Sequence, residues 1–250
     1  MQRGLWLVLI ASAASQKGIT GGSDAVPFHY PWMANINFDE KHFCGGVFLS
    51  PSALMTAAHC SSKPRGAYSV EFRRYNISAP AASESVQTFQ VSKIVVHPEY
   101  RGTMAPNDIA IWKLASSIQG PFETIQIGTE DDASKVGSTA IALGWGRSHP
   151  NGEFSKALQQ VTVPITDFDI CSLVWLMRGP SLDKKVQLCA GGQNGKGVCL
   201  GDSGGPLFKL QGNTPILLGL TSYGKPCAWQ GIPSVFTKVA SFSDFIKENS

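Results

Sequence analysis

From residue 19 onward the chain consists of short runs rich in apolar and β-branched residues, separated by turns. No stretch between these runs is long enough for the helix of a β-α-β unit. The 26 glycines and 15 prolines supply many turns and argue against long helical bundles. The pattern predicts an antiparallel all-β protein, either a sandwich or a barrel. The predicted strands cover residues 34–38, 44–49, 91–96, 109–114, 139–143, 158–165, 216–221 and 234–239.

Two helices are predicted beside the strands. Thr166 is expected to cap the first helix, because Asp169 follows it at the spacing of a capping box. The second helix is C-terminal and carries apolar residues on one face. These residues are Val239, Phe242, Phe245 and Ile246.

The start of the chain has the pattern of a secretory signal. Arg3 precedes an apolar run over residues 5–11, and the small residues 12–15 follow. We predict a signal peptide over residues 1–14 and a short propeptide over residues 15–18. The apolar run is too short for an ordinary membrane helix, and no later stretch is long enough. The protein is therefore expected to be secreted and extracellular, without a membrane partner.

Cysteine usage agrees with an oxidising compartment. An even number of cysteines predicts three disulfides, although six cysteines allow 15 pairings. The six are Cys44, Cys60, Cys171, Cys189, Cys199 and Cys227. They form no Cys-x-x-Cys pair, which disfavours a zinc ribbon or a thioredoxin-like site. Asn76 begins a glycosylation sequon, as expected of a surface loop in a secreted protein.

Composition excludes two broad classes of protein. A hydrophobic share of 43% is too high for a disordered chain. A net charge of +3 is too small for a dedicated nucleic-acid binder, so no nucleic-acid partner is expected.

The most informative motif is the stretch Gly201-Asp202-Ser203-Gly204-Gly205-Pro206. Glycines beside a serine let backbone N–H groups approach a substrate carbonyl closely. The stretch also matches the G-x-S-x-G elbow of α/β-hydrolases, in which the histidine follows the serine. Here every histidine precedes Ser203, which excludes that class and its esterases and lipases.

A general base must therefore lie upstream of Ser203. His59 follows an apolar run and small residues, which leave room for its imidazole. Asp108 lies at the mouth of a predicted strand, where a carboxylate can be buried and can orient a histidine. Each residue alone has an ordinary structural explanation, as a packed histidine or a turn residue. The order His, Asp, Ser is nevertheless that of the chymotrypsin arrangement.

With these motifs, the sequence resembles the chymotrypsin-like (S1 family) serine endopeptidases. The resemblance runs from Ile19 to about residue 249. Besides the three segments above, it rests on four short motifs: Ile19-Thr20-Gly21-Gly22, Phe43-Cys44-Gly45-Gly46, Gly144-Trp145-Gly146 and Ser222-Tyr223-Gly224.

The resemblance implies a fold of two packed six-stranded antiparallel β-barrels, with the cleft between them and a C-terminal helix. The peptidase domain would cover residues 19–250, with barrels over about 19–122 and 123–250. The implied disulfides are Cys44–Cys60, Cys171–Cys189 and Cys199–Cys227.

The mechanism implied by the resemblance is acyl transfer. Ser203 would attack the peptide carbonyl, His59 would move the proton, and Asp108 would orient His59. The N–H groups of Gly201 and Ser203 would form the oxyanion hole. No cofactor is expected.

Activation in the resembling proteins implies a further pair. The ammonium of a new N-terminus, here Ile19, would pair with the buried carboxylate of Asp202. His42 stands where some relatives hold this aspartate before activation. Most relatives have Arg or Lys directly before the Ile, whereas here Gly18 lies between Lys17 and Ile19. The route of activation is therefore unusual.

The residues around the specificity pocket would be Gly197, Val198, Ser222, Tyr223, Gly224 and Ser234. Gly197 stands where trypsin-like relatives carry the aspartate that binds Arg or Lys, so a cationic side chain would lack a partner. Gly224 keeps the entrance open, Lys225 disfavours basic residues further, and Ser234 is expected to narrow the pocket. We predict cleavage after Phe, Tyr, Leu or Met, with an elastase-like preference for smaller residues as the alternative.

The remaining expectations concern partners and competing functions. Protein and peptide substrates and protein protease inhibitors are the expected partners, and the chain is expected to be a monomer. No metal is expected, because only Glu71 and Glu84 offer carboxylates between Tyr68 and Thr88. The main competing function is an inactive protease homologue that acts as a binding or regulatory protein.

Overall fold

The computed structural model of the protein describes residues 19–224 and 227–250. The predicted signal peptide and propeptide lie outside the described residues, as does Lys225, and the boundaries of both segments stay predictions. The first element is the short strand β1 (Ser23–Asp24).

Six antiparallel strands close into a first barrel, in the order β2-β3-β4-β7-β6-β5. They are β2 (Met33–Phe38), β3 (Lys41–Ser50), β4 (Ala53–Thr56), β5 (Tyr68–Phe72), β6 (Gln87–Val96) and β7 (Ala110–Leu114). Pairing of β2 with β5 completes the closure. The barrel interior is apolar, with Ile36, Phe48 and Trp112 fully buried.

A second barrel follows after the connecting strand β8 (Gln126–Ile127) and the short helix α1 (Glu130–Ser134). Its strands are β9 (Thr139–Gly144), β10 (Gln159–Thr166), β11 (Gln187–Ala190), β12 (Pro206–Gln211), β13 (Thr214–Tyr223) and β14 (Ser234–Lys238). The order β10-β11-β14-β13-β12-β9 closes because β9 also pairs with β10. The expected architecture of two closed six-stranded antiparallel barrels is thus confirmed.

The two barrels share an apolar interface. One core cluster contains Met55 and Ile111 from the first barrel together with Phe208 and Leu217 from the second. Strand β1 pairs with β10, so the start of the described chain is attached to the second barrel. Residues at the rim of this interface form the walls of the cleft described below. The expected division near residue 122 stays a prediction.

The predicted cap of the first long helix is wrong by one residue. Helix α2 (Phe168–Leu176) is capped by Asp167, whose carboxylate accepts hydrogen bonds from the N–H groups of Asp169 and Ile170. Thr166 instead ends β10, and its hydroxyl donates to the carbonyl of Gly191 at 3.1 Å. The strand continues one residue further than the sequence pattern indicates, so the next short polar side chain takes the capping position.

The C-terminal helix is confirmed. A 3-10 turn over Val239–Phe242 leads into α3 (Ser243–Asn249). The predicted face is the one that packs, since Val239, Phe242 and Ile246 are buried in the shared core.

Candidate active site

His59 and Asp108 are brought together at the rim of the first barrel. His59 lies in a 3-10 turn (Ala58–Ser61) after β4, and Asp108 precedes β7. The imidazole Nδ1 is 2.8 Å from Asp108 Oδ2, and the backbone N–H of His59 donates to Asp108 Oδ1 at 2.9 Å. A carboxylate at Nδ1 requires that nitrogen to carry the hydrogen, which leaves Nε2 with a lone pair facing away. The geometry therefore prepares His59 to accept a proton at Nε2.

Asp108 is also held from the second barrel. The hydroxyl of Ser222, on β13, donates to Asp108 Oδ2 at 2.5 Å, and the hydroxyl of Thr237, on β14, donates to the Asp108 carbonyl at 2.8 Å. Sequence reasoning gave Ser222 a place in the pocket only and missed Thr237. No local pattern could have found these contacts, because they join residues more than 100 positions apart.

The loop of Ser203 lies against the segment that carries His59. The N–H of Gly45, on β3, donates to the Ser203 carbonyl at 2.8 Å, and the Gly204 N–H donates to the Thr221 carbonyl at 2.7 Å. Gly204 has φ +76°, and a Cβ at this position would overlap Thr56 Oγ1. A side chain at position 204 would push the loop away from the histidine segment, so glycine is required here.

Two backbone N–H groups of this loop are free to bind a ligand. Among residues 19–224 and 227–250, the N–H groups of Gly201 and Ser203 donate to no protein acceptor. The intervening N–H, of Asp202, donates to the Cys199 carbonyl at 3.1 Å. Both free donors flank the loop that presents Ser203, where an oxyanion hole requires them.

Asp202 is fully buried beneath this loop. Its carboxylate accepts from the N–H of Gly146 and the N–H of Cys199, both at 2.8 Å. A Cβ on Gly144 or Gly146 would overlap the carboxylate, which explains both glycines of the Gly-Trp-Gly motif. Burial raises the pKa of Asp202 to about 7, although the two backbone hydrogen bonds act in the opposite direction.

Ile19 lies next to the same peptide group. It is fully buried, and its N–H donates to the Gly146 carbonyl at 3.4 Å. The following residue, Thr20, accepts a hydrogen bond at its carbonyl from the N–H of Gly197. The start of the described chain thus contacts Gly146, whose N–H binds the Asp202 carboxylate, and Gly197, one of the predicted pocket residues.

Beside Ser203 there is a cavity of about 140 Å³. Its lining residues are Val198, Cys199, Leu200, Ser203, Thr221, Ser222, Tyr223, Gly224 and Cys227. None of these described residues is acidic or basic. The lining includes four of the six predicted pocket residues, namely Val198, Ser222, Tyr223 and Gly224.

Gly197 and Ser234 lie behind this lining. A Cβ on Gly197 would be 3.3 Å from Ala228 Cβ and 3.9 Å from Ser234 Oγ, and a Cβ on Gly224 would be 3.1 Å from Ser234 Oγ. The Ser234 hydroxyl thus lies between two glycines that leave the space open.

Three disulfides fix the elements around the site. Cys44–Cys60 joins β3 to the turn of His59, Cys171–Cys189 joins α2 to β11, and Cys199–Cys227 joins two lining segments of the cavity. These are the pairings that the resemblance implies.

Two further predicted residues lie away from the cavity. The ring of His42 contacts the Gly201 carbonyl rather than the Asp202 carboxylate, with Nε2 at 2.9 Å from the oxygen. Asn76 is half-buried and pairs with Ala157 in an isolated β-bridge, and its Oδ1 accepts from the N–H of Ser78 at 2.9 Å.

Among the described residues, no helix is both long and apolar enough to cross a membrane.

Comparisons with known proteins agree with this geometry. The model of the Trypsin family matches residues 19–246. The chain is 32% identical to human chymotrypsin-like elastase family member 3A over 95% of this chain and 90% of the relative. It is 34% identical to mouse chymotrypsin-C over 92% of this chain and 88% of the relative. It is also 31% identical to the venom peptide isomerase heavy chain of Agelenopsis aperta, over 92% of this chain and 99% of the relative.

A match that covers nearly all of the described chain, joined to the fold of two closed barrels, shows the family directly. The chain belongs to the trypsin family of chymotrypsin-like serine endopeptidases.

Proposed function

We propose that the protein is a secreted endopeptidase that cleaves after large apolar residues through Ser203, His59 and Asp108. The observation that carries the proposal is the hydrogen bond between His59 Nδ1 and Asp108 Oδ2, beside a serine loop with two free N–H donors. The same residues in a merely structural role would not need free donors at the cleft.

In the first step, Ser203 Oγ attacks the carbonyl carbon of the scissile bond while His59 Nε2 takes the hydroxyl proton. The carbonyl oxygen becomes an oxyanion, which the N–H groups of Gly201 and Ser203 stabilise. Asp108 stabilises the imidazolium and stays ionised. When the tetrahedral intermediate collapses, the C–N bond breaks, and His59 gives its proton to the leaving amine.

The second step regenerates the enzyme. Water attacks the carbonyl of the acyl-enzyme and gives a proton to His59 Nε2. The bond to Ser203 Oγ then breaks, and His59 returns the proton to the serine. The peptide acid leaves, and all atoms of the triad return to their starting state.

The pocket determines the preferred residue before the cleaved bond. The lining residues that the structure describes carry no charge to pair with Arg or Lys, and burying an unpaired cation is costly. The apolar surfaces of Val198 and Leu200 and the open entrance at Gly224 favour Phe, Tyr, Leu and Met. The Ser234 hydroxyl near Gly224 and Gly197 supports the alternative, an elastase-like preference for smaller apolar residues.

We further propose that cleavage before Ile19 activates the enzyme. Ile19 has φ +45°, a costly conformation for a β-branched residue within a chain. An N-terminal residue has no φ torsion, so cleavage removes this cost. It also creates an ammonium beside Gly146, whose N–H already contacts the buried Asp202 carboxylate. The new ion pair would stabilise the Gly201–Ser203 loop.

The setting of the enzyme is part of the proposal. Three disulfides are typical of extracellular proteins, and we expect glycosylation at the Asn76 sequon. We expect a monomer that protein protease inhibitors can bind at the cleft.

One experiment tests these proposals together. The secreted protein is sequenced from its N-terminus and assayed on chromogenic peptides that end in Phe, Leu, Ala or Arg, with Ser203→Ala as the control. We expect a chain that starts at Ile19 and cleaves the Phe and Leu peptides fastest. Fastest cleavage of the Arg peptide would overturn the proposed pocket. A chain that starts at Ile19 and cleaves nothing would favour the inactive homologue.

A further inference from the structure

A buried polar chain leads from the Gly201–Ser203 loop to the face of β2 and β5 that points away from the apolar barrel interior. His42, on β3, is 8% exposed and contacts a polar group with each ring nitrogen. Nε2 is 2.9 Å from the carbonyl oxygen of Gly201, and Nδ1 is 2.6 Å from Oδ1 of Asn35, on β2. Asn35 is 1% exposed, so water cannot replace these contacts.

The orientation of the Asn35 amide is fixed from its other side. Its Nδ2 donates to Glu71 Oε2 at 2.6 Å and to Asn37 Oδ1 at 3.1 Å. Both hydrogens of the amide thus have acceptors. Turning the amide over would place its oxygen against the carboxylate, so Oδ1 must face His42.

Glu71 is held in its ionised form. The Arg74 guanidinium donates to Glu71 Oε2 at 2.9 Å and to Oε1 at 2.6 Å. Burial opposes ionisation, but the hydrogen bonds from Arg74 and Asn35 outweigh it and lower the pKa of Glu71. Glu84 lies 3.5 Å from the same guanidinium, so this buried cluster contains two carboxylates and one cation.

The hydrogen bonds of His42 do not balance when its ring is neutral. The Gly201 carbonyl and Asn35 Oδ1 are both acceptors, whereas a neutral imidazole has one N–H. Only an imidazolium donates to both. With a protonated His42, the net charge of the cluster formed by Glu71, Arg74, Glu84 and His42 would be zero.

Other groups near the ring neither donate to it nor accept from it. Trp145 and Phe154 pack edge-on, with ring centroids 5.7 and 5.1 Å from that of His42. The Arg147 guanidinium lies over Phe154, 5.2 Å from its centroid. Asp202, next to Gly201, directs its carboxylate to the N–H groups of Gly146 and Cys199. The proton balance of His42 therefore depends on the chain through Asn35.

We propose that Asn35 and His42 are positioning residues of the oxyanion hole, which tie the Gly201 carbonyl to the Glu71–Arg74 ion pair. The tie is complete only when the His42 ring carries a second proton. Holding the Gly201 carbonyl fixes the glycine whose N–H is to bind the oxyanion, so this inference rests on the proposed function.

Burial makes the second proton hard to hold at neutral pH. It lowers the pKa of His42 to about 4, while the Gly201 carbonyl and the Glu71 carboxylate act in the opposite direction. Uptake of the proton on the acid side should therefore change the hydrogen bonds at Gly201 and Asn35 together.

The first test is a pH titration of the unaltered protein by NMR, with ¹⁵N-labelled histidine and backbone amides. We expect the ring nitrogens of His42 and the amides of Gly201 and Asp202 to titrate with one midpoint. Glu71→Gln should lower that midpoint by about one pH unit, because it removes a nearby opposite charge. Gly201 and Asp202 amides that do not follow His42, or an unchanged midpoint in Glu71→Gln, would overturn the proposal. This test needs no catalytic activity.

The second test separates positioning from general packing. Assayed at about pH 4, where His42 takes up its second proton, Asn35→Ala should lower kcat about tenfold with KM within twofold, since a misplaced donor acts on the transition state. At about pH 8, where the tie is incomplete, the loss should be smaller. The substitution should weaken binding of a peptidyl trifluoromethyl ketone, which forms an oxyanion, more than binding of the peptide acid. Gln159→Ala removes another buried amide, which contacts Asp24 instead, and should leave kcat within twofold.

Equal weakening of both ligands by Asn35→Ala would contradict a positioning role. If the unaltered enzyme cleaves no peptide, the proposed function fails. The NMR titration still tests whether His42, Asn35 and Gly201 are coupled, because it needs no activity. If Asn35→Ala does not fold, Asn35→Ser is used in the same assays. Its hydroxyl is too short to contact both His42 and Glu71, so kcat at about pH 4 should again fall; an unchanged kcat would overturn the proposal.

Discussion

The hydroxyl of Ser222 donates to Asp108 Oδ2 at 2.5 Å, across the boundary between the two barrels. The same oxygen faces His59 Nδ1 at 2.8 Å. Asp108 is 3% exposed, so protein donors replace water around its charge. Asp108→Asn should lower kcat about 10³- to 10⁴-fold, because the amide would hold the wrong tautomer of His59. Steady-state kinetics on a Leu or Phe peptide measure this effect.

Ser222→Ala should have a much smaller effect than Asp108→Asn. It removes one donor to a carboxylate, so we expect kcat to fall about tenfold, which corresponds to about 1.4 kcal/mol. KM should change little. A loss as large as that of Asp108→Asn would mean that Ser222 does more than orient the aspartate.

Asp202 predicts that the uncleaved chain loses stability as the pH rises. Its pKa is raised from 3.8 to about 7, so the folded chain holds a proton that the unfolded chain releases. The favourable contribution is therefore full below about pH 4 and is lost as the pH rises through about 7. By linkage this amounts to about 4 kcal/mol. Urea unfolding between pH 4 and 8 measures the loss.

Asp202→Asn serves as the control for this prediction, since it should remove the pH-dependent loss from the uncleaved chain. In a chain that starts at Ile19, the ammonium should lower the pKa of Asp202 and reduce the loss as well. Identical pH profiles for the cleaved and uncleaved chains would argue against an Ile19–Asp202 pair.

Ser234 makes a prediction about specificity. Its hydroxyl oxygen would lie within 4 Å of a Cβ atom added to either Gly197 or Gly224. Ser234→Gly should enlarge the pocket and raise kcat/KM for Phe and Tyr relative to Ala and Leu, by about tenfold. Paired assays on the four peptides measure the ratio, and an unchanged ratio would place the limit of the pocket elsewhere.

Helix α2 offers a test of stability. Asp167→Ala should lower the free energy of unfolding by about 1 kcal/mol, because it removes the acceptor for two N–H groups of the first turn. Asp169→Ala is the matched control and should cost less, since Asp169 caps no N–H of the helix. Urea unfolding at pH 7 compares the two variants.

Much of the fold and the site could be predicted from the sequence, because their signals are local. The strand at residues 109–114 and the apolar face of the C-terminal helix follow from side-chain periodicity. The order of His59, Asp108 and Ser203 distinguishes one triad arrangement from another. The disulfide pairs followed only from family resemblance, since six cysteines leave 15 pairings open.

Long-range contacts account for what the sequence did not reveal. Strand β5 was missed although Tyr68, Val70 and Phe72 alternate with polar residues, because the run is only five residues long. Its pairing with β2 and β6 is what makes it a strand, and those contacts are not local. Thr166 and Asp167 are both good capping residues, and only the pairing of Thr166 with Cys189 in the sheet decides between them. The contacts of Ser222 and Thr237 with Asp108 exist only once the barrels have packed.

The central claim is that Ser203 forms a covalent acyl-enzyme. The most direct measurement is mass spectrometry of the activated protein after brief reaction with a p-nitrophenyl ester of an N-acylated Leu or Phe, quenched in acid. We predict one acyl group on the peptide that contains Ser203, a matching burst of p-nitrophenol, and neither signal in Ser203→Ala. An acyl group on another residue, or steady hydrolysis by Ser203→Ala at the original rate, would contradict the account.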